Sequence, residues 1–555
     1  MKRGPKGWGW GLGFMLVFLL AGCGGYNDSS STLSESSGGG SSGGGTGITN
    51  TFSSPAEMSV GDIMPIEFGS SSVSVDFSSV ASGAKFILTL GSSATAGSLS
   101  SIQLSTDLAL PELDPLAKGM VAQVAPLGDE SDGFGPQEML SAWLRASETV
   151  LPSTEEPIQS VGDSSFSKAM SVKDVSVGNT DTFRVLGSLS STSSYVDVVG
   201  EVRCVKSNVV FYVDTAVGND IISDADVQTL CNDFDSVAGD EQKLLGEISD
   251  VDGDGKLHIL MTKQINRLGA LGGGIITGYF YAGDLYDRSS SNQASNNREV
   301  IYTMVPDPQG QYGTTISKNF AMSNLLPAVL PHELQHAISY NQHVFVNGGM
   351  PEDNWLNEGM SHLTEDVMGC GMENPSRYSL YLASPSTSAV VTQSSPNLVQ
   401  RGASYLFLRY LYEQSSNGSA FLSALEKTSK HGVDNLESAF SGPSGMNQFS
   451  EFMARWSIAL AMTDQGISQD GRYIYKARTK NSLTGKWDGV CLSCDADDGR
   501  GTVMNGVHMN TYYGTHTANV SPSALMFFNM TTLPKTMKLA GTQSSGNFGI
   551  LIRYQ

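Results

Sequence analysis

The chain has 555 residues, of which 40% are hydrophobic and 16% are charged, and its net charge at pH 7 is −22. One hydrophobic core rarely serves so many residues, so the length predicts about three folded units. The strong negative charge argues against nucleic acid and anionic membrane surfaces as partners, because an acidic protein is repelled by phosphate. The composition is that of a globular protein rich in small residues, with 62 glycines.

The first 23 residues have the features of a bacterial export signal. A basic start precedes an apolar run at 10–21, which is too short for a comfortable membrane span. The run ends in Leu20-Ala21-Gly22-Cys23, a sequence that resembles the bacterial lipobox. An ordinary secretory signal with an incidental Cys23 is the alternative. We expect 1–23 to be a lipoprotein signal peptide, with the protein anchored in the bacterial cell envelope through a lipid on Cys23; Gly24 favours the outer membrane.

A linker and a β-rich region follow. Residues 24–51 consist almost entirely of Ser, Gly, Asn and Thr, a composition that predicts a flexible tether. In residues 52–200, short alternating stretches such as 72–77 and 85–90 are separated by Gly and Ser turns. This pattern predicts a β-sandwich-like N-terminal domain.

The pattern changes near residue 201. A buried-strand pattern at 209–213 precedes an amphipathic stretch at 222–234, where Ser223 is a suitable helix N-cap. We predict that 201–480 form one domain with strands followed by helices. A return to strand patterns predicts that 481–555 are a β-rich C-terminal region.

The sharpest chemical motif is His332-Glu333-Leu334-Gln335-His336. On a helix, residues four apart lie on the same side, so both imidazoles can bind one zinc ion while Glu333 holds its water. Pro331 directly precedes the motif, and proline removes a backbone donor. The helix therefore either kinks at Pro331 or begins there.

A third metal ligand is offered by the run 355–365. Glu358, His362 and Glu365 lie at positions i, i+4 and i+7 and share one face of a second predicted helix. One carboxylate completes a His₂Glu set and leaves the fourth zinc position for water or substrate. Glu365 is interpreted as a hydrogen-bond acceptor for a ligand histidine or as a surface carboxylate. For His362 the alternatives are a solvated helix histidine and a substrate contact.

Together, HELQH and NEGMSHLTE resemble the arrangement of the gluzincin metallopeptidases. Over about residues 200–460 the chain is similar to the hyicolysin-type metallopeptidases, and the segments that carry this similarity are 209–214, 222–227, 250–255, 277–281, 332–336, 355–359 and 401–406. The resemblance implies an α+β fold. Its gluzincin-like domain would have a mixed sheet and active-site helices, between the β-sandwich-like domain and the β-rich C-terminal region.

The resemblance also implies site residues. Its zinc ligands are His332, His336 and Glu358, and its catalytic base is Glu333. Tyr405 is a candidate for stabilising the oxyanion through its place in the motif 401–406; a helix tyrosine that only packs is the alternative.

These motifs predict an exported zinc metalloendopeptidase that acts on protein or peptide substrates. Zinc-bound water is the expected nucleophile, and Glu333 is the expected general base. A surface adhesin or binding lipoprotein that retains a peptidase fold with little activity is the alternative. It would use the N-terminal β domain to hold its ligand.

A second acidic motif lies at 250–255. Asp250, Asp252 and Asp254 alternate with small residues as in a calcium loop, but Met261 stands where a complete EF-hand has glutamate. The alternatives are a turn stabilised by Ca²⁺ and a bare acidic turn.

Five cysteines remain besides Cys23. In an oxidising compartment some should pair, and the odd number leaves at least one free. Cys491 and Cys494 are expected to form a local disulfide or to remain thiols.

Overall fold

A computed structural model describes residues 46–108, 135–155, 157, 175–482, 486–512, 514–541 and 546–555. The expected signal peptide, Cys23 and most of the 24–51 linker lie outside these residues. Among the helices that are described, none combines the length and apolar character needed to cross a membrane.

The described residues form β-strands and α-helices in a mixed, α+β arrangement. The strands are β1 (Ile63–Ile66), β2 (Val73–Asp76), β3 (Phe86–Ser92), β4 (Ser100–Thr106), β5 (Thr180–Leu186), β6 (Tyr195–Val205), β7 (Val209–Asp214), β8 (Leu257–Met261), β9 (Gly278–Phe280), β10 (Val300–Thr303), β11 (Thr479–Lys480), β12 (Trp487–Asp488), β13 (Asn510–Thr511), β14 (His516–Val520), β15 (Leu525–Met530), β16 (Thr536–Gly541) and β17 (Asn547–Arg553). The helices are α1 (Pro136–Glu148), α2 (Leu151–Thr154), α3 (Asp224–Leu245), α4 (Lys263–Leu271), α5 (Lys318–Phe320), α6 (Leu326–Tyr340), α7 (Asn354–Val367), α8 (Asn374–Ala383), α9 (Leu398–Gln414), α10 (Gly418–Glu426), α11 (Gly432–Ala439) and α12 (Phe449–Met462).

Strands from the two ends of the described chain form two sheets around one core. The strand orders are β1-β17-β3-β15-β13 and β14-β4-β16-β2. Leu88 of β3 and Leu104 of β4 lie in different sheets but in the same buried hydrophobic cluster. Leu88 pairs directly with Leu551 of β17. The sequence predicted 52–200 and 481–555 as separate units, because strand patterns do not reveal which distant strands pair.

A mixed six-stranded sheet supports the HELQH helix. Its order is β5-β6-β7-β8-β10-β9, with β8 parallel to both β7 and β10. β7 and β8 are buried along their whole length, as expected for parallel strands covered on both faces. The boundary predicted at residue 200 falls inside β6. At the other end of the sheet, β9 pairs with β10, and its second backbone edge has no strand partner among the described residues.

Helices α6, α7 and α9 pack in succession and carry the conspicuous motifs. α6 continues through Pro331, so the helix does not begin at that residue, and π-helical segments precede and follow it. Gly359 allows α7 to approach α9 closely, because a Cβ at this position would lie 2.9 Å from side-chain atoms of Ser404 and Leu408. The predicted α3 helix is confirmed, with Ser223 as its N-cap.

Two disulfides are formed by the described cysteines. Cys204 of β6 is joined to Cys231 of α3, and Cys491 is joined to Cys494. Cys370 is a free thiol. The first disulfide ties the central sheet to the helix that packs on it.

Removal of the Cys204–Cys231 disulfide is expected to destabilise the fold. The bridge spans a sequence separation of 27 residues, and closing a loop of that length contributes about 3 kcal/mol to stability. The double variant Cys204→Ala/Cys231→Ala should unfold at lower urea concentration, whereas Cys370→Ala should be nearly neutral. Equal midpoints for the double variant and the parent would contradict this expectation.

Candidate metal centre

Helices α6 and α7 bring His332, His336 and Glu358 together. His332 Nε2 lies 3.4 Å from Glu358 Oε2, and His336 Nε2 lies 3.8 Å from Glu358 Oε1. One ligand atom from each residue falls within 4.8 Å of the others. Tetrahedral ligands at about 2.1 Å from zinc lie about 3.4 Å apart. The spacing therefore fits three ligands of one ion.

The second nitrogen of each imidazole is held by a hydrogen bond. His332 Nδ1 donates to Glu365 Oε1 at 2.7 Å, and His336 Nδ1 donates to Asn357 Oδ1 at 3.0 Å. These bonds fix both rings and direct both Nε2 atoms towards Glu358. Metal-binding histidines are usually oriented in this way.

The protonation of the two histidines also suits a cation. Burial lowers the pKa of His336 well below its ordinary value, so this ring is neutral. Burial also lowers the pKa of His332, but Glu358 and Glu365 at its two nitrogens raise it to about 9. At a pKa of about 9, the His332 ring carries a proton at neutral pH. A metal ion bound between His332 and Glu358 would take the place of that proton.

Glu358 is a fully buried carboxylate whose oxygens lie close to His332, His336 and Arg401. Burial raises its pKa, but the charge of Arg401, with Nη1 2.6 Å from Glu358 Oε2, contributes to a net pKa well below the ordinary value. Glu358 therefore stays ionised. An ionised, buried carboxylate that lies between two imidazoles fits a metal ligand.

Glu333 lies between this cluster and the edge of the central sheet. Its Oε2 accepts a hydrogen bond from Phe280 N of β9 at 2.9 Å. Burial raises the pKa of Glu333 above its ordinary value, against the opposing charges of His332 and Arg145. A raised pKa suits a carboxylate that accepts a proton during a reaction.

A cleft of about 1710 Å³ opens beside the cluster. His332, Glu333 and Arg401 line it, together with residues 135–138 at the start of α1. Its volume exceeds that of a pocket for a small molecule. The cleft can therefore hold an extended chain.

Helix α1 covers the partner-free edge of β9. Gln137 Nε2 donates to Gly278 O at 3.1 Å, and Gln137 Oε1 accepts from Thr277 N at 3.0 Å. Further along, Arg145 Nη2 donates to Phe280 O at 3.4 Å. The sequence did not predict this helix, which lies within the region expected to be β-sandwich-like.

Tyr405 does not face the cluster. Its hydroxyl donates to Asp366 Oδ2 at 2.9 Å, and its ring stacks on Tyr378 with centroids 5.8 Å apart. Asp366 lies about two helical turns beyond Glu358 on α7, which corresponds to about 12 Å. Tyr405 therefore has the packing role that was the alternative, and Arg401, one turn earlier on α9, faces Glu358.

Glu365 and His362 are both buried, with side chains only 2% and 1% exposed. Glu365 Oε1 accepts from His332 Nδ1 and also from His362 Nδ1, the latter at 2.8 Å. The alternatives of a surface carboxylate and a solvated histidine are therefore wrong. His332, His362 and Glu365 also lie close enough for a metal group, but their contacts have hydrogen-bond geometry, which identifies a supporting network.

The acidic turn is arranged differently from a calcium loop. Asp252 and Asp254 form a compact group with His258, and Asp250 does not belong to it. Asp250 Oδ1 instead accepts a hydrogen bond from Gly255 N at 2.9 Å.

Three important residues were not assigned a role from the sequence. Asn357 and Arg401 lie inside motifs that were recognised, so their position was visible but their contacts were not. Gln137 lies about 140 residues before its partners Thr277 and Gly278, at the start of β9. No local pattern could have indicated that contact.

Arg401→Met is expected to weaken zinc binding by about 10- to 100-fold, because Arg401 holds the charge and orientation of Glu358. Arg409→Met is a matched control: Arg409 is another buried α9 arginine, and it pairs with Asp366 away from the cluster. Competition with a chelator would measure both affinities. Equal losses in the two variants would contradict a specific role for Arg401.

The mixed helix-and-sheet fold, the HELQH helix and the buried His/Glu group are features of metallopeptidases. The chain is similar to "Neutral metalloprotease ShpI" of Staphylococcus hyicus, with 30% identity over 256 residues. The match covers 44% of this chain and 55% of the relative, so the chain spans about half of that protein's length. No protein-family model matches the chain. The similarity supports a metal-dependent peptidase.

Proposed function

We propose that the protein is a zinc metalloendopeptidase that hydrolyses peptide bonds in protein or peptide substrates. The observation that carries this proposal is the convergence of His332 Nε2, His336 Nε2 and the ionised Glu358 beside Glu333. Two imidazoles and one carboxylate form a common ligand set of catalytic zinc, with the fourth position open. The similarity to a metalloprotease supports the same class.

Zinc bound by these three residues would polarise the scissile carbonyl and lower the pKa of a coordinated water. Glu333 would act as the general base, accepting a proton from the attacking water and passing it to the nitrogen of the leaving amine. Glu365 and Asn357 hold the imidazoles through their Nδ1 atoms. Arg401 keeps Glu358 ionised. The surrounding cleft admits the substrate chain.

We also propose that the protein is located at the bacterial cell envelope. The sequence Leu20-Ala21-Gly22-Cys23 after a basic start and an apolar run supports export and a lipid on Cys23. The Ser/Gly-rich linker that follows would hold the folded part away from the membrane, which is the outer membrane in this proposal.

The test combines zinc content with proteolysis on soluble protein that begins after Gly24. Mass spectrometry should find bound zinc that is lost from the His332 cluster in Glu358→Gln, and a denatured protein substrate should be cleaved. Removal of the metal with a chelator should stop cleavage, and added zinc should restore it. Bound zinc without cleavage would favour the binding-protein alternative. If the His332 cluster binds no zinc, the proposal fails.

A further inference from the structure

The turn at 250–255 and strand β8 form a second cluster of metal-ligating groups, away from His332. Asp252 Oδ1 accepts from Asp254 N at 3.3 Å, and Asp254 Oδ1 accepts from Lys256 N at 2.8 Å. Each carboxylate thus uses one oxygen to hold the turn. The remaining Oδ2 atoms lie 3.3 and 3.2 Å from His258 Nε2.

His258 is buried beneath the turn, with its side chain only 1% exposed. Nδ1 has no hydrogen-bond partner among the described residues, and the contacts of Nε2 with the two carboxylates are ion-pair contacts without hydrogen-bond direction. Nε2 is almost equally distant from two carboxylate oxygens, yet the geometry directs a hydrogen bond to neither. A buried polar nitrogen that lacks a well-directed hydrogen bond is costly unless another group satisfies it.

A metal ion would satisfy all three groups at once. Ligand atoms about 2.1 to 2.2 Å from a common ion are about 3.0 to 3.6 Å apart in octahedral or tetrahedral geometry. The two separations from His258 Nε2 fall within that range. Three ligand atoms of this group lie within 4.8 Å of one another.

We propose that Asp252, Asp254 and His258 form a second metal site, which binds a divalent first-row transition metal such as Mn²⁺ or Zn²⁺. Calcium takes oxygen ligands, whereas imidazole suits transition metals. The site therefore differs from the calcium loop expected from the sequence, both in its ion and in the replacement of Asp250 by His258. It does not rest on the proposed peptidase function.

Arg298 lies beside this site. Its Nε lies 3.9 Å from Asp252 Oδ2, while its Nη1 pairs with Asp181 at 2.9 Å. A neighbouring positive charge disfavours a second cation. Arg298 therefore lowers the affinity of this site for a cation.

The bound ion would act on the fold. Asp252 and Asp254 belong to the turn, whereas His258 belongs to β8, which lies between β7 and β10. An ion shared by these residues fixes the turn to the centre of the sheet. Binding to the folded state alone raises the temperature of unfolding as metal concentration rises.

Mn²⁺ is the probe that tests this site. All variants carry Glu358→Gln, because this substitution impairs metal binding at the His332 cluster and leaves the second site to be measured. Electron paramagnetic resonance should count one bound Mn²⁺ per chain in that background and in Glu358→Gln/Asp250→Asn. The count should fall to zero in Glu358→Gln/Asp252→Asn/Asp254→Asn and in Glu358→Gln/His258→Gln. Mn²⁺ should also raise the unfolding temperature of Glu358→Gln and of Glu358→Gln/Asp250→Asn. It should not raise that of the two variants that lack the second site.

Unchanged Mn²⁺ counts after removal of Asp252 and Asp254 would overturn the proposal. So would the absence of bound Mn²⁺ in the Glu358→Gln background when circular dichroism shows it to be folded. Each variant with Glu358 restored should still cleave protein. Loss of the second site and failure of the peptidase proposal are therefore separate results.

Discussion

Glu333→Gln is expected to lower kcat for proteolysis by about 10²- to 10⁴-fold, the contribution typical of a general base. Glutamine has nearly the same shape and can still accept the hydrogen bond from Phe280 N. It cannot take the proton from the attacking water. Because Glu333 is not among the proposed ligands, zinc content at the His332 cluster should be unchanged.

The measurement is steady-state cleavage of a fluorogenic peptide, together with metal analysis of the same samples. Glu413→Gln is a suitable control, since Glu413 is a mostly buried glutamate that pairs with Arg409 of α9. It should keep nearly full activity. A Glu333→Gln enzyme with more than a tenth of parental kcat would mean that another group acts as the base.

The second large effect is expected from Glu358→Gln, which should lose zinc and, with it, proteolysis. A neutral amide is a poorer ligand than a carboxylate, and Arg401 would keep an uncompensated buried charge. Breaking a buried ion pair in this way costs about 3 to 5 kcal/mol. We expect zinc affinity to fall by more than about 100-fold, which exceeds the usual effect of residues that only support a ligand.

Glu365→Gln provides the comparison for this prediction. Glu365 holds His332 through Nδ1, so its loss should weaken zinc binding by about 10- to 100-fold and leave activity at saturating zinc. Chelator competition would rank the two variants, and circular dichroism would confirm folding. The reverse ranking would place the metal among His332, His362 and Glu365.

Local patterns in the sequence were sufficient to predict several elements. The apolar run at 209–213 became β7, and the periodic stretch after Ser223 became α3. The convergence of His332, His336 and Glu358 was also predictable, because helical spacing and the resemblance to gluzincins both pointed to these residues. These predictions depend on the residue pattern within one element or on contacts between two neighbouring helices.

The contacts that could not be predicted join distant parts of the chain. The pairing of Leu88 with Leu551 and the contact of Gln137 with Thr277 leave no periodic signal in either segment. Tyr405 was misplaced for a related reason. Its location in a helix was predicted correctly. Which residue of α7 its side chain contacts depends on how α9 is aligned along α7, and that residue is Asp366.

The occupied edge of β9 affects how a substrate can gain affinity. An extended peptide that joins a sheet edge normally adds main-chain hydrogen bonds. At β9, Gln137, Arg145 and Glu333 already use Gly278 O and both backbone groups of Phe280. A peptide pairing there exchanges one set of bonds for another, and the net gain per bond falls below the usual ~1 kcal/mol. Selectivity would then depend on how side chains of the peptide fill the cleft, and a bare main chain would bind weakly.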